Sequence, residues 1–368
     1  VSERALAIAG VGALTPVGLS AEATCAAVRA GISRMLALEG WDDGGTDPPE
    51  GLIAGRVPFE WFEGGPRTEW PGHERWNLRP PRPHLLVANG GRRLIDLALP
   101  AAEEAWRQAR PGGGRAGLYL GLDEADRGGP IAEAIGAVLG VAFDPVREDR
   151  LGRAAGLAAL HRAARHLRED RVDVALVGAV DSRIRRDVVE ALAARGVVRT
   201  EDAPHGIIPG EAAAFLVLAR DDRERRALGW LAGSGVSEEP TAGTDDPNQG
   251  VGLTRALRRA RQAAPPLASQ PFIVCDLNGE RYRAMEWGLV RVRAVDDLRY
   301  LPAGPGAGDL WHPADCIGDP GAASGGLSVV CALTAMRKGY ARADRALVWG
   351  ASDGPLRAAA VLARERED

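Results

Sequence analysis

Residues Asp173–Ser182, DVALVGAVDS, have a near twin half a chain away at Asp344–Gly354, DRALVWGASDG. Each is a short apolar run of strand type ending in a Gly-Ala turn and an aspartate. Each follows a stretch with small and apolar side chains at helical spacing, GLAALHRAARHLRED in the first case and GLSVVCALTAMRKGY in the second. Helix, short loop and buried strand therefore recur, which predicts one pseudo-symmetric α/β molecule built from two similar halves.

Working outward, RALAIAGVGALTPVG, RAGLYLGLDEA, AAAFLVLAR and FIVCDLNG read as further strands. SAEATCAAVRAGIS, RRLIDLALPAAEEAWRQA and GLTRALRRARQAA read as helices. The first half is placed over residues 1–220 and the second over 228–368, together one compact unit. Residues 42–82, rich in Pro, Gly and Trp without periodicity, read as loop and surface insertion. SGVSEEPTAGTDDPNQG at 234–250 reads as a second loop.

The bulk numbers describe an ordinary globular chain. Its 368 residues are 45% hydrophobic and 26% charged, with a net charge of −4, which gives no case for nucleic acid or an anionic membrane as partner. Lys338 is the sole lysine, so no G-K-[ST] phosphate loop exists and little room is left for Schiff-base chemistry. Cys25, Cys275, Cys316 and Cys331 lack paired spacing, which suits a reducing cytoplasm better than a disulfide framework or a zinc site. The N-terminal apolar run is broken early by Gly12, Pro16 and Gly18, so it reads as a buried strand and turn rather than a secretory leader. No run reaches the length of a membrane span.

Several motifs then fall in a recognisable order. IAGVGALTPVGLSAEATCAAVRAG opens the chain, VDVALVGAVDS and GEAAAFLVLAR lie at its middle, and IGDPGAASGG precedes the last helix. In these the chain resembles the β-ketoacyl-acyl-carrier-protein synthases of the thiolase superfamily. The resemblance implies a thiolase-like five-layer αβαβα fold of two pseudo-symmetric halves, a dimer, and an active site where the halves meet. It also implies a cysteine at a helix N-terminus that carries the acyl chain, its thiolate favoured by the helix dipole. Two histidines would assist decarboxylation and stabilise the enolate.

Carried over residue by residue, that set is missing. The nucleophile position falls at Arg153, in RLGRAAGLAAL; no cysteine occurs between 26 and 274. The first histidine position is Asn278, in CDLNGERYRA, and the second is Asp319, in the glycine-rich loop. The lysine that the family places five residues before the second histidine is Ala314. A buried arginine demands a carboxylate, so Arg153 is expected to pair with Asp319, where the family has Cys facing His.

Rival sites are weaker. Cys316 with His312 is the one alternative nucleophile and would make an acyltransferase; a small buried cysteine in a tight loop is the plainer reading. GASDG at Gly350–Gly354 fits a nucleophile elbow, but no histidine follows His312. His161 and His166 stand five apart, the wrong spacing for ligands on one helix face. Asp276, Glu280, Arg281 and Glu286 cluster with Asn278 in CDLNGERYRAMEWG, either as a polar network that holds a loop or, with Gly318 and Gly321, as a ligand site.

The reading is a ketosynthase-like pseudoenzyme, a non-condensing or chain-length-factor-like partner in acyl or polyketide metabolism. It would be a homodimer or a heterodimer with an active ketosynthase, could meet an acyl carrier protein, and needs no cofactor or metal. A scaffold or adaptor outside acyl metabolism, or an acyltransferase using Cys316, stay open as alternatives.

Overall fold

The run LAIAGVGAL forms β1 (Leu6–Leu14), a strand buried along its whole length. The computed structural model describes residues 4–37, 51–58, 91–124, 130–200, 204–220, 227–267, 270–293 and 310–366. After β1 the first half continues through α1 (Ala21–Ala30), β2 (Leu36–Ala37), β3 (Ile53–Ala54), α2 (Gly91–Ala109), β4 (Ala116–Leu122) and α3 (Ile131–Leu139). It ends with β5 (Val146–Arg150), α4 (Ala155–Arg168), β6 (Val174–Ser182), α5 (Arg186–Ala194) and β7 (Glu211–Ala219). The second half runs β8 (Gly229–Glu238), α6 (Val251–Ala263), β9 (Phe272–Cys275), α7 (Arg281–Arg293) and β10 (Leu310–Trp311). Then come α8 (Ala314–Ile317), α9 (Ser324–Arg337), β11 (Arg345–Ala351) and β12 (Leu356–Ala363).

Ten strands form one sheet in the order β10-β9-β11-β12-β8-β1-β7-β6-β4-β5. Its seam is the β1–β8 pair, where Leu6 lies opposite Leu231. Outward from that seam each side shows two antiparallel pairings followed by two parallel ones. The twin strands β6 and β11 take the same place on each side. This is the mixed α/β architecture of two pseudo-symmetric halves.

Helices complete five layers. The helices that lead into the twin strands, α4 and α9, pack between the two sides of the sheet. Of α9, Ser324 through Met336 is buried, small or apolar on nearly every face, as a middle-layer helix must be. Leu157, Leu160, Val329, Val330 and Leu333 meet Leu216 and Val348 from the two halves in this layer. Each such fully buried side chain stabilises the fold by about 1.5–3 kcal/mol. The outer layers are α2 and α3 over the first half and α6 and α7 over the second.

Three local readings change. The stretch 234–250 is not loop throughout, because its first residues, Ser234 to Glu238, belong to β8. Their Gly and Ser content reflects packing: a Cβ on Gly233 would meet the Ala260 carbonyl oxygen at 2.3 Å, and one on Gly235 that of Ala256 at 2.4 Å. Close approach of α6 thus requires the glycines that disguised the strand. Within 42–82, residues 51–58 are largely buried: Val57 lies in the interior, its amide donating to Glu211 Oε1 at 2.7 Å, and the Gly55 amide donates to Pro209 O at 2.8 Å. The rest of that insertion lies outside the described residues. Finally, in CDLNGERYRAMEWG Cys275 ends β9, only Asp276 to Glu280 is loop, and from Arg281 the chain is α7.

Candidate functional site

Both middle-layer helices begin in the same way. Gly152, at φ 69°, opens a single 3-10 turn, Gly152–Ala154, that runs into α4. Gly321, at φ 49°, opens its counterpart, Gly321–Ala323, ahead of α9. Arg153 stands on the first turn and is 0% exposed. Asp319 lies just before the second and is 1% exposed. The Asp319 backbone is fastened to the first half, its amide donating to Ile208 O at 2.7 Å and its carbonyl accepting from the Gly210 amide at 3.0 Å. The loop that starts α9 is thereby held against the junction of the halves.

At that junction the Arg153 Nη1 donates to Asp319 Oδ1. Arg153 Nη2 donates to the Asp276 carbonyl at 2.8 Å, and its Nε to Asp276 Oδ2 at 3.4 Å. The second oxygen of Asp319 accepts from Asn278 Nδ2 at 3.0 Å and from Arg183 Nη1 at 3.3 Å, while the Gly321 amide donates to Oδ1 at 3.0 Å. Arg153, Asn278 and Asp319, from three distant stretches of sequence, therefore form one buried network. Arg283 extends it, bonding to the Ala351 carbonyl and to Asp353 Oδ1.

The electrostatics fix the charge states. Burial works against the Arg153 guanidinium, but Asp319 and Asp276 hold its pKa above the ordinary arginine range. Burial alone would raise Asp319; Arg153 and Arg183 more than offset it and keep the carboxyl well below the usual carboxylate range. Chemically, a guanidinium is no nucleophile and does not lose its proton, and a carboxamide does not titrate. A carboxylate locked as an anion supplies neither acid nor base at neutral pH. Asp181 differs: burial and the nearby Asp123 push its carboxyl up to about 7. Its Oδ2 accepts from the Ala322 amide at 2.9 Å, so this helix start is capped by one of the protein's own carboxyls.

The other candidates are dispersed. The Cys316 thiol is buried and raised by that burial, with the Val28 carbonyl 4.0 Å away. His312 Nδ1 instead pairs with Asp315 Oδ2 at 2.7 Å, and that bond raises the imidazole. Ser352 of GASDG has its hydroxyl engaged with backbone, accepting from the Ala154 amide at 3.0 Å and donating to the Leu151 carbonyl. His161 bonds Ser234 Oγ at 2.9 Å and His166 bonds the Tyr119 hydroxyl at 2.8 Å, so the two histidines serve different neighbours. Glu280 pairs with Arg283 Nε at 3.0 Å, and Glu286 turns away to Arg357 Nε at 2.8 Å. Arg281 is exposed. Gly318, at φ 76°, lets the loop turn, its amide donating to Ala314 O at 2.9 Å. No group of three or more potential ligands for a metal occurs among the described residues. Nor is any described helix long and apolar enough to cross a membrane.

Sequence reading missed Arg183, Arg283, Asp181 and Asp353. Asp181 and Asp353 occupy matching places in the twin motifs, GAVDS and GASDG, and that repetition was a usable signal. Both face Arg183, at 3.9 Å and 3.8 Å respectively. The arginines carried no such mark in an arginine-rich chain.

Comparison with known proteins agrees with this fold. Residues 153–224 match the family model "Beta-ketoacyl synthase, N-terminal domain". No curated protein matches by sequence. Among solved structures, a type II polyketide synthase acyl-carrier protein in complex with its ketosynthase contributes a chain with TM-score 0.76 and 16% identity, covering 98% of this chain and 100% of that one. The ishigamide ketosynthase/chain length factor gives 0.74 and 18%, covering 99% and 100%. The ketosynthase from module 6 of the bacillaene synthase from Bacillus subtilis 168 gives 0.74 and 17%, covering 99% of this chain and 72% of that one. Architecture shared across both halves at 16–18% identity gives this chain the fold of these ketosynthases, and the match to the β-ketoacyl synthase N-terminal domain begins at the buried arginine itself.

Proposed function

We propose that the chain is a non-condensing ketosynthase-like protein that acts by binding, as a partner subunit in acyl or polyketide metabolism. The observation that carries this reading is the buried Arg153–Asp319 ion pair. It stands at the two positions where the family resemblance calls for a thiolate and a histidine, and Asn278 fills the third. A cation that cannot attack and an anion that cannot accept a proton at neutral pH replace a nucleophile and its neighbour. The enclosed guanidinium also occupies the space beside which an acyl thioester would form. The similarity of fold to a ketosynthase/chain length factor supports the partner role. On this reading the protein works as a dimer in the cytoplasm, with itself or with an active ketosynthase, and meets an acyl carrier protein.

The test is incubation with acyl- and malonyl-thioesters followed by intact-mass spectrometry and measurement of carbon dioxide release. The expected result is no acyl adduct on Cys25, Cys275, Cys316 or Cys331, and no decarboxylation above background. An adduct on any of these cysteines, or catalysed loss of carbon dioxide, overturns the reading.

A further inference from the structure

On the outer layer of the second half, α7 turns an apolar seam toward solvent. Tyr282, Met285, Leu289 and Val292 recur at alternating spacings of three and four, and Tyr282, Met285 and Val292 are 37%, 56% and 75% exposed. The inward face is separate: Trp287 and Val290 are buried, and Trp287 stacks on Trp349 at 5.0 Å. A three-four alternation is the seam by which one helix packs on another.

Among the described residues the seam has positively charged ends. Arg281 and Arg293 flank it, both exposed. Arg293 donates to the backbone carbonyl of Gln249 at 2.7 Å and its amide oxygen at 3.4 Å, both neutral acceptors. On the adjoining α6, Arg258 reaches α7 and donates to the Arg293 carbonyl at 3.3 Å. The one acid on α7, Glu286, is buried against Arg357, and α6 has none. Arg281 and Arg293 thus put positive charge at both ends of this seam in a chain of net charge −4.

Gly288 adds an independent sign. It lies in the middle of α7 on the exposed side, and a Cβ built there meets nothing within 4 Å. Internal packing therefore does not require a glycine, which is a poor residue for a helix interior. Its missing side chain leaves a gap beside Leu289 through which another backbone can come close.

We propose that α7 docks an amphipathic helix of a partner protein, with apolar residues in its seam and Asp or Glu at its borders. Lipid would not explain the helix-to-helix spacing or the gap at Gly288, and α7 is anchored in the body by Trp287 rather than free to lie in a bilayer surface.

The probe is a synthetic peptide of a few heptads with Leu at the seam positions and Glu at the borders, titrated against the full chain by fluorescence anisotropy. The expected result is saturable binding that Met285→Glu or Val292→Glu each weakens about tenfold or more. Gly288→Leu weakens it as well. The double reversal Arg281→Glu with Arg293→Glu rejects this peptide and accepts a counterpart with Lys at its borders. All these positions are exposed, so unchanged thermal melts separate loss of docking from loss of fold. Absence of binding, binding indifferent to these variants, or capture by phosphatidylserine vesicles without capture of the peptide overturns the proposal.

Discussion

A carboxylate that is 1% exposed stays ionised only where cations and donors enclose it, and Asp319 has Arg153, Arg183, Asn278 and the Gly321 amide around it. Removing one member leaves the others uncompensated. Asp319→Asn is predicted to cost about 3–5 kcal/mol of stability, because two buried guanidinium groups lose their common anion. Arg153→Met combined with Asp319→Leu recovers the part of that loss due to Arg153, since an apolar pair needs no solvation, while Arg183 still lacks its anion. Urea denaturation of the single and double variants measures both, and additive losses would contradict the coupling. The need for a carboxylate opposite Arg153 was readable from sequence once that arginine was placed inside the fold. Arg183 was not: it follows the end of β6 and has the look of a surface turn residue. Only the tertiary fold, which lays Asp319 against residues 208–210, brings it within reach.

At the level of elements, the site is two helix starts whose free amides are satisfied by side chains from the ends of the twin strands. Ser352 accepts from the Ala154 amide and Asp181 from the Ala322 amide. Ser352→Ala is expected to cost about 1 kcal/mol, the usual value of a lost cap. Gly321→Ala is expected to cost more, because its φ of 49° strains any side chain and a Cβ there would lie 1.8 Å from Asp181 Oδ2. Thermal melts of the two variants should fall in that order. The helix-loop-strand repeat was legible because burial on all sides leaves an apolar run with few alternatives. Other elements were hidden for physical reasons. β5, VREDR, is an edge strand whose residues mostly face water, so it carries no apolar pattern. The end of β8 hid behind the glycines that α6 requires, and α7 behind a polar, arginine-rich first turn.

Over the whole molecule, two opposed sets of carboxyls decide how stability depends on pH. Glu104 is pushed up from its ordinary 4.5 to about 7, chiefly by burial, although the Ala13 and Ala21 amides donate to it. Asp181 is pushed from 3.8 to about 7 by burial and Asp123. A carboxyl raised in the folded state favours its neutral form there. Its contribution is fully present below the unfolded value and is lost as pH rises through the folded one, here between about 4 and 7. Asp319 and Asp353 are lowered in spite of burial, by Arg153 and Arg183 for the first and Arg283 and Arg183 for the second. Their contribution is present above the ordinary 3.8 and is lost as pH falls below it. The two limbs predict maximal stability near pH 4, with a decline toward pH 7 that a chain lacking the raised groups would not show. Urea midpoints measured from pH 3 to pH 8 should trace this maximum. Glu104→Gln keeps an acceptor for one amide while removing the titration, so it should flatten the alkaline limb by roughly 1–3 kcal/mol and leave the acid limb in place. An unchanged alkaline limb in that variant would assign the decline to Asp181 and its partners at the junction of the halves.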